Sequence, residues 1–167
     1  MKTENTTIVF LSIAIVLGST IAISSILNTS IVFANHEFAA NLTGQQEVPP
    51  VDTQASGEAI FVPRMPINET IDFYANATGI QGVTQGHIHS GVQGENGPIV
   101  VTLFNFDSPQ NAVSQNGSIA ANNLEGPMQG KTIPELIAAM KNGSTYINFH
   151  TEQNPNGEIR GQLMGGK

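Results

Sequence analysis

Three histidines of this chain stand where strand alternation would bring imidazoles together. His87 and His89 are separated by Ile88, and His150 comes much later, in a second alternating segment. Successive side chains of a strand point to opposite faces, so His87 and His89 share one face and Ile88 takes the other. Neutral imidazoles bind Zn²⁺, Cu²⁺ and related ions, and three of them with an open position form a known metal arrangement. The pattern therefore raises a three-histidine metal site as a hypothesis.

Two later segments alternate in the same way and assign a face to each polar residue. In Ser144 to Thr151, Ile147 and Phe149 alternate with polar residues that share the face of His150. In Gly157 to Met164 the aliphatic residues again alternate with polar ones. The polar residues predicted to lie on the outer face, around the histidines or against a ligand, are Tyr146, Asn148, Glu158, Arg160 and Gln162.

A second interpretation fits the same pattern. Histidines on a solvated sheet face also hydrogen-bond to their neighbours without any ion, and Glu158 and Arg160 can pair with adjacent strands. The glycine-rich segment from Ser90 to Pro98 includes Asn96-Gly97, a strong hairpin signal. That segment predicts either a plain hairpin connection or a loop that folds over the histidines. The sequence leaves both questions open.

Other catalytic chemistry is not indicated. The chain has no nucleophile motif, no phosphate-binding loop and no dinucleotide fingerprint, and no catalytic residue is assigned. Glu47, Asp52 and Glu58 show no spacing that suggests acid–base work. His36 would be the second residue of a chain cleaved after Ala34, where amine and imidazole can chelate copper, although a frayed terminus is the simpler interpretation. An enzyme is therefore not the favoured class.

Composition excludes several classes of function. The chain has 167 residues, 11% of them charged, with a formal net charge of -7 and no cysteine. Nucleic acid would need a basic face, and no cluster of lysine or arginine exists. Disulfides, thiolate-bound zinc and iron–sulfur clusters are excluded by the absence of cysteine. What remains is an acidic domain of low charge that its core alone must stabilise.

The N-terminus predicts export. Lys2 precedes a long apolar run from Ile8 to Leu27, and Val32 and Ala34 fit the small-residue positions before a signal-peptidase cut. The run is about as long as a membrane span, which needs ~20 apolar residues, so an uncleaved anchor is the alternative. We therefore expect residues 1–34 to be a signal peptide or membrane anchor, and residues 35–167 to form one domain that is extracellular or at the cell surface.

Five segments match the glycosylation motif Asn-x-Ser/Thr, which agrees with an exported chain. Such a short motif also recurs by chance in a sequence rich in asparagine and threonine. We expect some of these sites to carry glycan if the host glycosylates exported proteins. The five acceptor residues are Asn41, Asn68, Asn76, Asn116 and Asn142.

The remaining pattern predicts an all-β domain. Many short alternating segments are separated by turn residues, and only Thr132 to Lys141, with a capping box from Thr132 to Glu135, reads as a helix. Asp107 to Asn116 reads as a polar loop, followed by a short strand from Ser118 to Ala121. The predicted fold is a Greek-key β-sandwich or barrel with one short helix, preceded by the N-terminal signal or anchor helix. The predicted strands are 36–42, 55–62, 70–77, the segment of His87 and His89, 99–106, 118–121, 144–151 and 157–164.

The order of several sequence blocks resembles the CHRD (chordin) domain family. This resemblance covers nearly all of the chain after the leader, and it implies an extracellular β-domain. Nothing in the chain is similar to the cysteine-rich modules of chordin itself, so growth-factor antagonism is not implied. The blocks that carry the resemblance are LTGQQEVPP at 42–50, TQASG at 53–57, HIHSG at 87–91, GENGP at 94–98, YINFHT at 146–151 and NPNGEIRGQL at 154–163.

A looser similarity is to the copper–zinc superoxide dismutase barrel, which also binds copper through a His-x-His strand and a distant histidine. This chain lacks that family's zinc-binding cluster and its disulfide cysteines, so dismutase activity is not implied. Two functions remain. The first is an exported binding or structural module for an unknown protein, glycan or small ligand. The alternative is a copper- or zinc-binding protein that uses His87, His89 and His150, and that could be redox-active with copper.

Overall fold

The computed structural model describes residues 37–65 and 67–165. The predicted leader, its cleavage site and His36 lie outside the described residues. Within them, the chain forms nine strands and one α-helix. The strands are β1 (Phe38–Thr43), β2 (Ser56–Arg64), β3 (Thr70–Thr78), β4 (Val83–Ser90), β5 (Ile99–Gln110), β6 (Val113–Ile119), β7 (Thr145–Thr151), β8 (Ile159–Gln162) and β9 (Met164–Gly165), and the helix is α1 (Ile133–Lys141).

All the strands belong to one antiparallel sheet. Its order is β5-β4-β7-β8-β1-β2-β3-β6, and β9 pairs with the start of β1. The two strands at the ends of this order, β5 and β6, are consecutive in the chain and separated only by residues 111–112. The sheet therefore curls until its ends approach, and the result is a nearly closed barrel. The all-β prediction with one short helix is confirmed.

The apolar core lies on the inner face of this barrel. Ile88, Ile147 and Phe149, which the alternation assigned to the core face, are fully buried there, as are Ile159 and Leu163. Strands β4, β7 and β8 are neighbours, so their alternation places the intervening polar residues together on the opposite face. This relation between strand order and alternation is what positions the site.

The single helix begins where the sequence predicts it. Glu135 accepts hydrogen bonds from the backbone N–H of Thr132 (2.8 Å) and from its hydroxyl group (2.9 Å), which closes the capping box. Leu136 and Met140 are buried against the barrel, and the helix ends at Lys141 before Asn142 and Gly143.

The segment from Asp107 to Asn116 was predicted as a polar loop, and that prediction is wrong. It forms the end of β5 and most of β6, and β6 pairs with β3 over seven residues. Strand β6 consists largely of serine, asparagine and glutamine, so it shows little alternation of apolar and polar residues. Only its two ends, Val113 and Ile119, are buried in the core. The strand is held by its backbone ladder to β3, which a local pattern does not contain. The strand predicted at 118–121 therefore begins earlier in the chain than expected, at Val113, and ends at Ile119.

The predicted strand 157–164 is shorter in the structure. Only Ile159–Gln162 pairs with β7, and Met164–Gly165 turns to pair with β1 as β9. Among residues 37–65 and 67–165, no helix has the length and apolar character that a membrane span requires.

Candidate metal centre

Three neighbouring strands bring the polar residues into facing positions. On the face turned away from the core, the register of β4 and β7 places His87 opposite Asn148 and His89 opposite Tyr146. The register of β7 and β8 then places Asn148 opposite Arg160. Directly opposed side chains have Cβ atoms about 5 Å apart, so this row of residues is in contact across the sheet.

His150 joins the group from the next outward position of β7. Its Nε2 lies 3.1 Å from Nδ1 of His87, and the two ring centroids are 4.9 Å apart. One ligand nitrogen from each of His87, His89 and His150 lies within 4.8 Å of the other two. The structure therefore brings together the three histidines that the alternation assigned to one face.

The histidines lie on the face turned away from the core, but this face is covered, so the interpretation of them as solvated side chains is wrong. His87, His89 and His150 are only 4%, 8% and 5% exposed, and Arg160 and Glu158 are buried as well. Two connections cover this face, residues 44–53 between β1 and β2 and residues 91–98 between β4 and β5. Alternation alone predicts which face a residue takes, but it does not show whether another part of the chain covers that face.

Backbone carbonyl groups fix the proton positions on two of the rings. Nδ1 of His89 lies 2.9 Å from the carbonyl oxygen of Gly97, and Nδ1 of His150 lies 3.0 Å from that of Pro155. A carbonyl oxygen only accepts, so each neutral ring carries its proton on Nδ1 and leaves an unprotonated Nε2. This is the arrangement by which proteins orient metal-binding histidines.

His89 Nε2 has no partner within the described residues although it is buried. A buried acceptor without a donor is uncommon, because its desolvation is not compensated. His150 Nε2, by contrast, accepts a hydrogen bond from Nδ1–H of His87. The cluster therefore contains two Nε2 lone pairs directed away from their anchoring carbonyls, and one of them is unsatisfied.

Burial keeps the three rings neutral. Desolvation, together with the neighbouring His150 and His89, lowers the pKa of His87 to about 3. Desolvation also lowers the pKa of His89 and of His150, against the opposing effect of the carbonyl groups of Gly97 and Pro155. Neutral imidazole is the form that binds a metal ion, so the ligands are ready near pH 7.

Distances decide how well an ion would fit. With bonds of about 2 Å in tetrahedral geometry, ligand nitrogens lie about 3.3 Å apart. The distance of 3.1 Å between Nδ1 of His87 and Nε2 of His150 matches this spacing. The three ligand nitrogens together lie within 4.8 Å of one another, which allows a separation wider than that around one ion. The donor set, all nitrogen, suits copper or zinc and does not suit calcium or magnesium.

Arg160 ties the loop 91–98 to the barrel. Its guanidinium group donates to the carbonyl oxygens of Val92 (3.1 Å) and Glu95 (2.9 Å), and to Oδ1 of Asn96 (3.2 Å). The same group lies 3.4 Å from the centroid of the Tyr146 ring. Because Arg160 is 1% exposed, these contacts replace its hydration, and it lies on the outer face of the sheet but covered by the loop rather than in solvent.

Tyr146 connects Arg160 and the loop 91–98 to the histidines. Its ring stacks on that of His89, with centroids 4.9 Å apart and planes 9° from parallel. Its hydroxyl group accepts a hydrogen bond from the backbone N–H of Gly97. Gly97 therefore contacts both Tyr146 and His89, and the loop folds over the histidines rather than forming a plain hairpin.

Gly97 cannot carry a side chain in this position. A Cβ atom there would lie 1.6 Å from the carbonyl oxygen of Ser90, whose N–H in turn bonds to Pro98. The loop thus approaches β4 as closely as backbone permits. The Asn-Gly signal in the sequence has a packing reason in addition to its turn-forming tendency.

Glu158 stabilises the β7–β8 turn and does not form an ion pair within the described residues. Its carboxylate accepts hydrogen bonds from the hydroxyl groups of Thr53 (2.8 Å) and Thr151 (2.8 Å), and from the amide of Asn154 (3.2 Å). These bonds fix the turn that presents the Pro155 carbonyl group to His150. Glu158 therefore supports the site through His150.

Glu47 is a member of this region that the sequence reasoning missed. Its side chain is 5% exposed and accepts a hydrogen bond from Nδ2 of Asn148 at 3.2 Å. Burial raises its pKa to about 7, although Arg160 and the bond from Asn148 act in the opposite direction. Since 101 residues separate it from Asn148, only its place in the TGQQEVPP block marked it out.

The five predicted glycosylation residues are all exposed in the structure. Asn41 and Asn76 flank Glu58 in the register of β1, β2 and β3, while Asn116 lies on β6. Asn68 and Asn142 follow β2 and α1. A glycan at any of them would meet no core residue.

The fold and the site define a class, an all-β barrel domain with a covered cluster of three histidines on its outer side. The family model of the CHRD domain matches residues 38–163, which is most of the chain. The chain therefore belongs to the CHRD domain family, and the resemblance found in the sequence is confirmed. Neither a curated protein nor a solved structure matches it.

Proposed function

We propose that this CHRD domain is an exported module that binds one copper or zinc ion through His87, His89 and His150. The observation that carries the proposal is the convergence of three buried imidazoles, two of them anchored at Nδ1 by backbone carbonyl groups. The orphaned Nε2 of His89 supports it, since an ion would satisfy this atom. The loop 91–98 would shield the ion from bulk water.

Export is proposed from the sequence of the leader and from the five glycosylation motifs. Whether residues 1–34 are cleaved or anchor the domain, the domain would lie outside the cytoplasm or at the cell surface. The strand order, with β3 beside β6 and β4 beside β7, supports the Greek-key description of the barrel. Cell fractionation tests export, and protein found free in the cytoplasm would contradict it.

The outer surface offers a different candidate function. A cavity of about 490 Å³, lined in part by Gln46, Gln93 and Gln162, is large enough to take part of a protein, glycan or small ligand. No feature of this cavity specifies one ligand, so the histidine cluster carries the proposal. The two functions are compatible, because the cavity and the cluster involve different residues.

Metal analysis tests the proposal directly. Protein purified without an affinity tag is titrated with Cu²⁺ and with Zn²⁺, and its metal content is measured after dialysis. We expect one ion per chain, with the affinity lost in His89→Ala. His36→Ala is the matched control, because it removes the only other histidine, including an N-terminal copper chelate.

A further inference from the structure

Two buried oxygen atoms near the histidines lack a proton donor. Oε1 of Glu47 and Oδ1 of Asn148 are both buried without a hydrogen-bond partner among the described residues. The same two side chains are already joined by the bond from Nδ2 of Asn148 to Oε2 of Glu47. The remaining oxygens are both acceptors when Glu47 is a carboxylate, so neither can satisfy the other.

The two orphaned oxygens both lie beside the backbone of Gly157. The position that a Cβ atom would take at Gly157 lies 2.7 Å from Oε1 of Glu47 and 2.6 Å from Oδ1 of Asn148. Because residue 157 is glycine, no side chain there donates to either atom. A single proton on Glu47 would satisfy both, and the acid and the amide would then share two parallel hydrogen bonds.

We propose that Glu47 and Asn148 form such a protonated acid–amide pair, and that binding of a cation to the adjacent histidines releases its proton. The first half stands on the geometry of the pair. The second half rests on the proposed metal-binding function. Asn148 faces His87 across the β4–β7 register and precedes His150 by two residues, so the pair is adjacent to the place where an ion would bind.

The groups around Glu47 are consistent with a proton held near neutral pH. Arg160, on β8, is the cation that faces Glu47, but its donors are engaged by the loop 91–98. Glu158, next to Gly157, is held by hydroxyl and amide donors, and His87, beyond Asn148 on β4, is neutral. Burial therefore outweighs Arg160 and raises the pKa of Glu47 to about 7.

Solvent can deliver and remove this proton. Glu47 and Arg160 both line a cavity of about 300 Å³ beside Gln93 and Gly94. The proton balance is simple, since Glu47 loses one H⁺ to water or buffer as the ion arrives and becomes a carboxylate. No oxidant or reductant is needed.

Infrared difference spectroscopy of the metal-free protein tests the pair on its own. The C=O stretching band of a protonated carboxyl group should be present at pH 5.5 and should disappear with a midpoint near pH 7. Glu47→Gln should remove the band, because glutamine keeps two parallel bonds to Asn148 but cannot titrate. Glu58→Gln is the matched control, since Glu58 accepts from Asn76 in an exposed pair and its loss should leave the band unchanged.

Calorimetry tests the coupling to the ion. Zn²⁺ is titrated at pH 6.5 in two buffers of different ionisation enthalpy, which gives the number of protons released. We expect the wild-type protein to release up to one proton more than Glu47→Gln. Equal release would overturn the coupling, and a missing carboxyl band would overturn the pair. Failure of both proteins to bind Zn²⁺ or Cu²⁺ while the band titrates would contradict the metal site and leave the pair standing.

Discussion

Nδ1 of His87 lies 3.1 Å from Nε2 of His150, although the two residues are 63 positions apart in the chain. The contact exists because β4 and β7 are neighbours in the barrel, with their histidines on the same side. In neutral rings the proton of His87 bridges this contact, since Nδ1 of His150 already donates to Pro155. An ion that takes both nitrogens must displace that proton from Nδ1 of His87.

Replacement of Arg160 should loosen the loop over the histidines. Arg160→Gln leaves three loop acceptors without their donor and removes the cation from the Tyr146 ring. Each hydrogen bond made by a charged group contributes about 1.5–3 kcal/mol. Urea unfolding should report this loss, and hydrogen exchange should show weaker protection of the backbone around Gly91.

Arg64→Gln is the comparison for this change. Arg64 pairs with Asp72 at 2.7 Å on the half-exposed side of β2 and β3, where an ion pair contributes about 0–1 kcal/mol. An equal loss of stability in both variants would contradict the conclusion that Arg160 holds the loop 91–98 on the barrel.

A methyl group at Gly97 should disturb the site, while one at Gly94 should not. In Gly97→Ala the added atom meets the carbonyl oxygen of Ser90, and the loop must move away from His89 and Tyr146. We expect a loss of about 1–3 kcal/mol, as for other overpacked positions. Gly94 has a positive φ of 84° but no atom near its missing Cβ, so alanine there introduces only backbone strain of about 1–2 kcal/mol.

The measurement is thermal unfolding together with the metal affinity of each variant. Gly97→Ala should weaken the affinity for Cu²⁺ or Zn²⁺, and Gly94→Ala should retain it. If both retain the wild-type affinity, the loop does not help to hold His89.

The pH dependence of stability should separate Glu47 from the histidines. The folded protein holds the Glu47 proton up to about pH 7, whereas the unfolded chain loses it near pH 4.5. The stability due to this group is therefore present below pH 4.5 and is lost as the pH rises through 7. One pKa unit corresponds to about 1.4 kcal/mol, so the roughly 2.5 units between 4.5 and about 7 correspond to a loss of at most about 3.5 kcal/mol.

The histidines act in the opposite direction. Their pKa values are lowered on folding, so their contribution is present above the unfolded value of 6.5 and is lost as the pH falls below it, in the case of His87 toward its folded pKa of about 3. The contribution of the histidines is the same in wild type and in Glu47→Gln, so it cancels when their free energies of unfolding are subtracted at each pH. We expect similar stabilities at pH 4.5 and a variant that is more stable at pH 8. A difference that does not change with pH would contradict the role assigned to Glu47.

Glycan occupancy can be predicted from exposure. If the native host modifies exported chains, glycosidase treatment should lower the mass of the mature protein, and the shift should shrink with some of the single Asn→Gln changes at 41, 68, 76, 116 and 142. A mature protein of unmodified mass, in a host that glycosylates other exported proteins, would contradict this assignment.

Strand periodicity predicted which face each histidine takes, because alternation is a local property, but the cluster also requires β4 and β7 to be neighbours, which is a non-local pairing. It assigned His87, His89 and His150 to one side of the barrel, with Tyr146 and Asn148 beside them. It did not predict burial. The cover depends on contacts such as that between Arg160 and Val92, which lie 68 residues apart, and on backbone approach at Gly97.

Two errors have the same physical origin. Glu47 shows no local pattern, because its partner Asn148 is supplied by a distant strand. The end of β5 and the start of β6 were predicted as a loop, because their polar side chains gave no alternation and the ladder of β6 to β3 is non-local. Where the stabilising partner lies far along the chain, a single sequence contains too little information to place it.

The central claim is that one ion binds to His87, His89 and His150, and thermal unfolding of untagged protein with and without metal tests it most directly. At a free Zn²⁺ or Cu²⁺ concentration 100 times the dissociation constant, binding should stabilise the fold by about 2.7 kcal/mol and raise Tm by about 5–10 °C. His36→Ala should keep this shift, and His89→Ala should lose it. A Tm that neither ion changes, or a shift that persists in His89→Ala, would contradict the account.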